Sequence, residues 1–366
     1  MTEPLFVTKS YLPTKAEYAA AVAEIWDTGI LTNDGPLNKR LEEQLRVFLG
    51  LDYLRVTNNG TVVLQMALKA LGIEPGSKII TTPFSYVATT NAILWEKCIP
   101  IFADIKPDDF NIDPDHIEAT LREHPDAKAI MATHVYGNAC EVDRIKAIAD
   151  AHGLKVIYDA AHTFGATYKG QAILNYGDLS TCSFHATKVF HTIEGGCIVS
   201  HDAKMDDELA YLRSFGHRGD YYHSQGINAK NSEFHAAMGL VMLPNVPDLI
   251  AKRKQVAGWY DARLNFDQVT RPTLLEGMVY NYAYYPVLFR DEPTLERVRA
   301  ALEAEKIFPR RYFYPSLNTL HFLPDMSKKA CPVSDRVSVG VMSLPFHPEL
   351  PEAEVERVSR IINENV

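Results

Sequence analysis

Cysteine is scarce in this chain and irregularly placed. The five residues Cys98, Cys140, Cys182, Cys197 and Cys331 are an odd number, with no C-x-x-C pair and no zinc-like spacing. That excludes a disulfide framework and predicts reduced thiols in a cytoplasmic protein. Runs of Lys or Arg are also missing and the net charge is -9, so no nucleic-acid partner is expected. No eighteen-residue apolar run exists, because AAMGLVML is stopped by Pro244 and Pro247; no membrane partner is expected. The start MTEPLFVTKS lacks a basic stretch followed by an apolar one, unlike a signal peptide. There is no GxGxxG after a strand, no GxxxxGK[ST], no HExxH and no GxSxG, and the thirteen histidines show no metal-ligand spacing. Dinucleotide, P-loop, zincin and serine-hydrolase chemistries lose their signatures.

What is present is a soluble globular composition, 46% hydrophobic and 23% charged over 366 residues, enough for a large domain and a smaller one. From about residue 50 to 200 strand and helix patterns alternate. YLRVT, KIITTP, PIFADI, AKAIMATHVYG and KVIYDAA read as strands, and VVLQMALKALG, YVATTNAILWEKC, DPDHIEATLREH and EVDRIKAIADAHG as helices. This alternation predicts an α/β fold with a largely parallel sheet covered on both faces. Ligands in such sheets bind beyond the carboxyl ends of the strands. SEFHAAMGLVML and VPDLIAKRKQVAGWYDARL read as helices leading out of this unit. YNYAYYPVLF then alternates as a half-exposed antiparallel strand, followed by the helices TLERVRAALEAEKI and EAEVERVSRIINENV. The predicted division is a large domain over 1–250, including the N-terminal segment, and a small α+β domain over 251–366.

Four features fall at predicted strand ends. In NNGT a strand turns into a helix through Gly60 and Thr61, where free N–H groups and the helix dipole suit a phosphate; a plain N-cap is the simpler alternative. Asp159 ends the apolar run VIY, so its carboxylate is expected to be partly buried and in need of a cation or several donors. His162 follows three residues later; a capping Asp with a hydrogen-bonded His is the bland alternative. Lys188 follows the strand TCSFHA, where an amine at the edge of a dry site is nucleophilic, although a snorkelling lysine is commoner. Ser183 lies five residues before it. Together, an aldehyde-binding amine, a carboxylate for a ring N–H and a phosphate turn suit one ligand, pyridoxal 5′-phosphate. Lys188 would form the Schiff base, Asp159 would keep the pyridine nitrogen protonated, and Gly60, Thr61 and Ser183 would hold the phosphate.

At this point the sequence closely resembles the DegT/DnrJ/EryC1/StrS family of sugar aminotransferases, within the fold-type I, aspartate aminotransferase-like enzymes. The likeness runs through GILTNDGPLNKRLEEQL, NNGTVVLQMAL, TTPFSYVATTNAI, YDAAHTFGATYKG, SFHATKVFHTIEGG, GINAKNSEFHAAMGL, YFYPSLNTL and SLPFHPEL. The resemblance implies a mixed, mostly parallel sheet in the large domain. It makes Lys188 the cofactor lysine and proton shuttle, pairs Asp159 with the ring nitrogen and places His162 at the ring hydroxyl. Tyr86 would stack on the ring, and Asn228 would reach the phosphate from the partner subunit of a homodimer with shared active sites. The family often has GxNxRM where this chain has GINAKN, with Lys230 and Asn231. L-glutamate would be the amino donor, with pyridoxamine 5′-phosphate as the intermediate form and a nucleotide-linked keto sugar as acceptor. Arg218, Arg310 and Arg311 are candidates for its diphosphate, and Tyr312 and Tyr314 for the sugar; surface solvation is the alternative for the arginines. FGHRG…GINAK and FPRRYFYPSL look most like enzymes making dTDP-4-amino-4,6-dideoxyglucose from the 4-keto-6-deoxy sugar, as in lipopolysaccharide O-antigen synthesis. Three rivals remain: a 3-keto-sugar aminotransferase, a sugar dehydratase with His in place of Lys188, and a non-catalytic binding or regulatory protein on the same scaffold.

Overall fold

The computed structural model describes residues 3–366. Seven strands form the central sheet: β1 (Tyr53–Thr57), β2 (Lys78–Thr81), β3 (Ile99–Phe102), β4 (Ala129–Thr133), β5 (Lys155–Asp159), β6 (Leu179–Ser183) and β7 (Gly196–Ser200). Their order is β1-β7-β6-β5-β4-β2-β3. Contiguous pairs from β6 to β3 are parallel, while β7 runs antiparallel to both β6 and β1. The sheet is therefore mixed and mostly parallel, as expected.

Strand geometry explains why near-continuous apolar runs were required here. Successive side chains point to opposite faces. Ile79, Ala129, Met131 and Ile157 pack with Val63, Leu64 and Ala67 of helix Gly60–Ala70 on one face. Ile80, Ile130, Ala132 and Val156 pack with Ile117, Ile145 and Ile148 on the other. Those last three come from helices Pro114–Glu123 and Val142–His152. The second of these stops at Gly153, whose φ of 66° is a left-handed cap that glycine adopts without a Cβ penalty. All five cysteines are buried and unpaired.

Helices Glu233–Met242 and Val246–Asp261 follow, the first packed against helices Lys15–Thr28 and Pro36–Leu49. A three-stranded antiparallel sheet then forms from β8 (Val269–Thr270), β9 (Pro286–Phe289) and β10 (Val341–Ser343), in the order β8-β9-β10. Helices Glu292–Ala304 and Glu352–Asn365 cover it with a core of Leu295, Val298, Val355 and Val358. The chain's first strand, Leu5–Phe6, pairs in parallel with Ile307–Phe308, so the N-terminal segment lies against this C-terminal unit.

One element differs from its expected form. YNYAYYPVLF pairs only over Pro286–Phe289, and Pro286, Val287 and Phe289 in that strand are buried rather than alternating with solvent. The residues before it form no strand, because their backbone is bonded to buried side chains instead of a neighbouring strand. Arg253 donates to the carbonyls of Tyr282 and Ala283, and Ala283 N–H donates to Asn281 Oδ1.

Candidate active site

The site is assembled where β5 and β6 end beside the start of helix Gly60–Ala70. Asp159, the last residue of β5, is paired in register with Thr133 of β4 and Thr181 of β6. Its carboxylate accepts from Thr89 Oγ1 at 2.6 Å and from the Ala161 N–H at 3.1 Å. Thr89 is one member of a hydroxyl cluster: Ser85 Oγ lies 2.9 Å from Thr89 Oγ1 and 3.0 Å from Thr133 Oγ1. No Lys, Arg or His forms an ion pair with Asp159 among the described residues. Burial accordingly pushes its carboxyl above the ordinary range, against the lowering effects of Thr89, Ala161 and the Lys188 charge. A carboxylate in that condition gains from one more cationic N–H donor.

His162 is buried in the loop that follows, its ring centroid 5.0 Å from that of Tyr284 in a T-shaped arrangement and 5.8 Å from that of Phe313 in a stacked one. Its Nδ1 is buried without a hydrogen-bond partner among the described residues. Burial, assisted by Lys188, holds its pKa well below the usual value, so the ring is neutral and can donate or accept at that nitrogen.

Lys188 is half-buried in the turn after β6, not on the strand itself. The turn is closed by Phe184 N–H to Gly195 O at 2.8 Å and Thr192 N–H to Phe184 O at 3.0 Å. Lys188 Nζ lies 3.4 Å from Tyr284 Oη and 5.8 Å from that ring's centroid.

At the opposite end, Asn59 caps the helix: its Oδ1 accepts from the N–H groups of Thr61 at 2.9 Å and Val62 at 2.8 Å. The simple N-cap is thus realised, and Gly60 and Thr61 face the cavity beside it. A Cβ added to Gly60 would sit 2.7 Å from Ser183 Cβ, so only glycine lets the helix start approach β6 this closely.

Gly60, Thr61, Tyr86, Asp159, His162, Ser183 and Lys188 all line one cavity of about 300 Å³. This set fits pyridoxal 5′-phosphate in two observable respects. A buried carboxylate without an ion pair and an imidazole Nδ1 without a hydrogen-bond partner lie in this cavity among the described residues, and a glycine-lined helix start and a primary amine line the same space. A second cavity of about 940 Å³ shares Ser85, Tyr86, Thr187, Tyr312 and Phe313 with the first. Arg310, Arg311, Tyr312 and Tyr314 line this outer space.

The two arginines are not equivalent there. Arg311 is held by Glu292 at 2.8 Å, Glu296 at 3.1 Å and the Val339 carbonyl at 3.0 Å, and it covers the Tyr314 ring at 3.6 Å. Arg310 is exposed and carries no ion pair among the described residues. Arg218 and Asn228 line neither cavity of their own chain. Both lie on an arm over residues 214–230 that exposes Tyr221 and Tyr222. Arg218 pairs with Asp207 and covers the Tyr211 ring at 4.1 Å. Asn228 Oδ1 accepts from Lys230 Nζ at 2.8 Å, and its carbonyl accepts from Asn58 Nδ2 at 3.1 Å.

Ser85, Thr89, Thr133, Tyr284 and Phe313 were not singled out from the sequence. Ser85 and Thr89 had one available signal, hydroxyl residues four apart at a helix start.

The whole chain has close relatives. A model described as the DegT/DnrJ/EryC1/StrS aminotransferase family matches residues 13–363. A protein of Shigella dysenteriae named dTDP-4-amino-4,6-dideoxy-D-glucose transaminase is 36% identical, with 100% of both chains covered. An Escherichia coli protein of the same name is 37% identical over 97% of each chain. Among solved structures, DesI in the presence of its TDP-sugar product superposes with a TM-score of 0.93 at 30% identity, covering 100% of this chain and 93% of that one. Helicobacter pylori PseC, an aminotransferase involved in the biosynthesis of pseudoaminic acid, gives 0.88 at 27% identity over 99% of each chain.

Proposed function

This chain belongs to the DegT/DnrJ/EryC1/StrS aminotransferase family, and from that premise we propose a pyridoxal-phosphate enzyme that aminates C4 of a nucleotide-linked 4-keto-6-deoxy sugar. L-glutamate is the amino donor and dTDP-4-amino-4,6-dideoxyglucose the product. The observation that carries the reading is the buried, ion-pair-free Asp159 sharing one cavity with the Lys188 amine. When bound, the cofactor supplies an aldehyde carbon and an electron-accepting ring. Lys188 would hold it covalently and would move a proton at Nζ. Asp159 keeps the ring N–H protonated, and His162 Nδ1 serves the ring hydroxyl. Tyr86 covers one ring face, while Gly60, Thr61 and Ser183 hold the phosphate. The outer cavity takes the nucleotide sugar beside Tyr312 and Tyr314.

Asn228 and Arg218 serve the facing site of a homodimer in this reading. Their placement on an arm with exposed aromatics, outside their own chain's cavities, supports that assignment. The enzyme works in the cytoplasm, where glutamate and nucleotide sugars meet. The test is direct. Purified, cofactor-loaded protein should absorb at the Schiff-base band and be bleached by L-glutamate. The bleached form should recover with a 4-keto dTDP-sugar. Recovery with 3-keto sugars alone would move amination to C3, and a colourless protein that cannot be loaded would overturn the reading.

The inequality of the two rim arginines gives a separate expectation. Arg310→Ala should raise KM for the nucleotide sugar about tenfold, the loss of one charge-assisted contact, and leave the glutamate half-reaction unchanged. Arg311→Ala should instead destabilise the fold by about 1–3 kcal/mol, because the two ion pairs, the bond to the Val339 carbonyl and the packing over the Tyr314 ring are lost together. Steady-state kinetics and thermal unfolding of both variants separate the two roles.

A further inference from the structure

Tyr284 reaches the reaction centre from a segment that has no other evident reason to be held there. Residues 280–284 are irregular, yet three buried polar side chains fix them. Asn281 Nδ2 donates to the carbonyls of His162 at 2.7 Å and Phe164 at 3.0 Å, tying the segment to the loop after β5. Arg253, itself buried, donates to the Tyr282 and Ala283 carbonyls at 3.4 and 3.3 Å. Tyr280 Oη donates to the Tyr136 carbonyl at 2.8 Å. Tyr282 sits at φ 54°, a left-handed conformation that a bulky residue keeps only when its surroundings impose it. The product of this clamping is the Tyr284 hydroxyl, 3.4 Å from Lys188 Nζ. A small cavity of about 10 Å³, lined by His162, Lys188, Ala283 and Tyr284, lies behind the pair.

We infer that Tyr284 is the positioning residue for the Lys188 amine during the part of the cycle in which that amine is free of the cofactor. A lysine on a turn has several rotamers to explore when released. The phenol accepts a hydrogen bond from an ammonium and donates one to a neutral amine, so it holds Nζ in place in both proton states. The ring supplies a cation–π surface as well. This role rests on the aminotransferase reading and adds to it a group that acts only through Lys188.

The test uses the cofactor-loaded full chain. Tyr284→Phe removes one oxygen and keeps the packing, so unfolding temperature and the cofactor absorbance band should match wild type. Single-turnover bleaching by L-glutamate should slow about tenfold, roughly the loss of one positioning hydrogen bond, with the glutamate KM unchanged. The decisive arm is a double-mutant cycle. Lys188→Ala is supplied with methylamine as an external base, and the rescued rate is compared with and without Tyr284→Phe. Equal rescued rates show that Tyr284 acts through Lys188. A tenfold fall in the rescued rate as well would mean that it acts elsewhere and would overturn the proposal. So would a wild-type bleaching rate in Tyr284→Phe, or loss of the cofactor band in that variant. If wild-type protein itself is not bleached by glutamate, the aminotransferase reading has failed instead.

Discussion

Lys188→Ala is expected to lower transamination by at least about 10³-fold while leaving the fold and the capacity to bind cofactor reversibly. The size follows from the two roles proposed for it, covalent attachment and proton transfer, the second alone being worth about 10²–10⁴. Stability should change little. Lys188 is half-buried, its amine has one long hydrogen bond to Tyr284 and no carboxylate partner among the described residues. The turn around it is closed by backbone bonds of Phe184 and Thr192 that do not involve its side chain. Turnover with glutamate and the keto sugar, measured beside thermal unfolding, checks both halves. Retained turnover would remove Lys188 from the chemistry.

Asp159→Asn is the second large effect, and its two consequences have opposite signs. Activity should fall about 10²–10³-fold, because in the proposed pairing a neutral amide would not stabilise a positive ring nitrogen. The cofactor-free fold should gain. Burial raises the Asp159 carboxyl above the ordinary range, so this group's contribution to stability is complete below the unfolded carboxyl pKa. That contribution is lost as pH rises through the raised folded value. The asparagine variant has no such loss. Its unfolding temperature without cofactor should therefore exceed that of wild type at roughly pH 8 and approach it at roughly pH 4. A variant that is less stable at the higher pH would show that the carboxylate is satisfied without a ligand.

The parts of the site that were legible are those tied to element ends. Asp159 closes an apolar strand, Gly60 and Thr61 open a helix after another strand, and Ser183 and Lys188 bracket the end of a third. Strand and helix periodicity alone sends all of them to one edge of a parallel sheet. Of the Ser85–Thr89–Thr133 hydroxyl cluster only the four-residue spacing of Ser85 and Thr89 at a helix start was legible; Thr133, at the end of a distant strand, carries no spacing that links it to them. Tyr284 was hidden for a different reason. YNYAYYPVLF alternates well enough to read as a strand, while Arg253, which takes up its Tyr282 and Ala283 carbonyls, and the His162 loop, to which the Asn281 side chain ties it, are far away in sequence. Arg310 and Arg311 look alike as neighbours in FPRRYF. Only the packing of helix Glu292–Ala304 beside them shows that Glu292 and Glu296 occupy one and leave the other open.

Reduction of the loaded protein with borohydride, followed by peptide mass spectrometry, tests the central assignment most directly. The expected result is a single phosphopyridoxyl adduct on the peptide containing Lys188, absent after pretreatment with L-glutamate. An adduct on another lysine, or none in folded and fully loaded protein, would contradict the account.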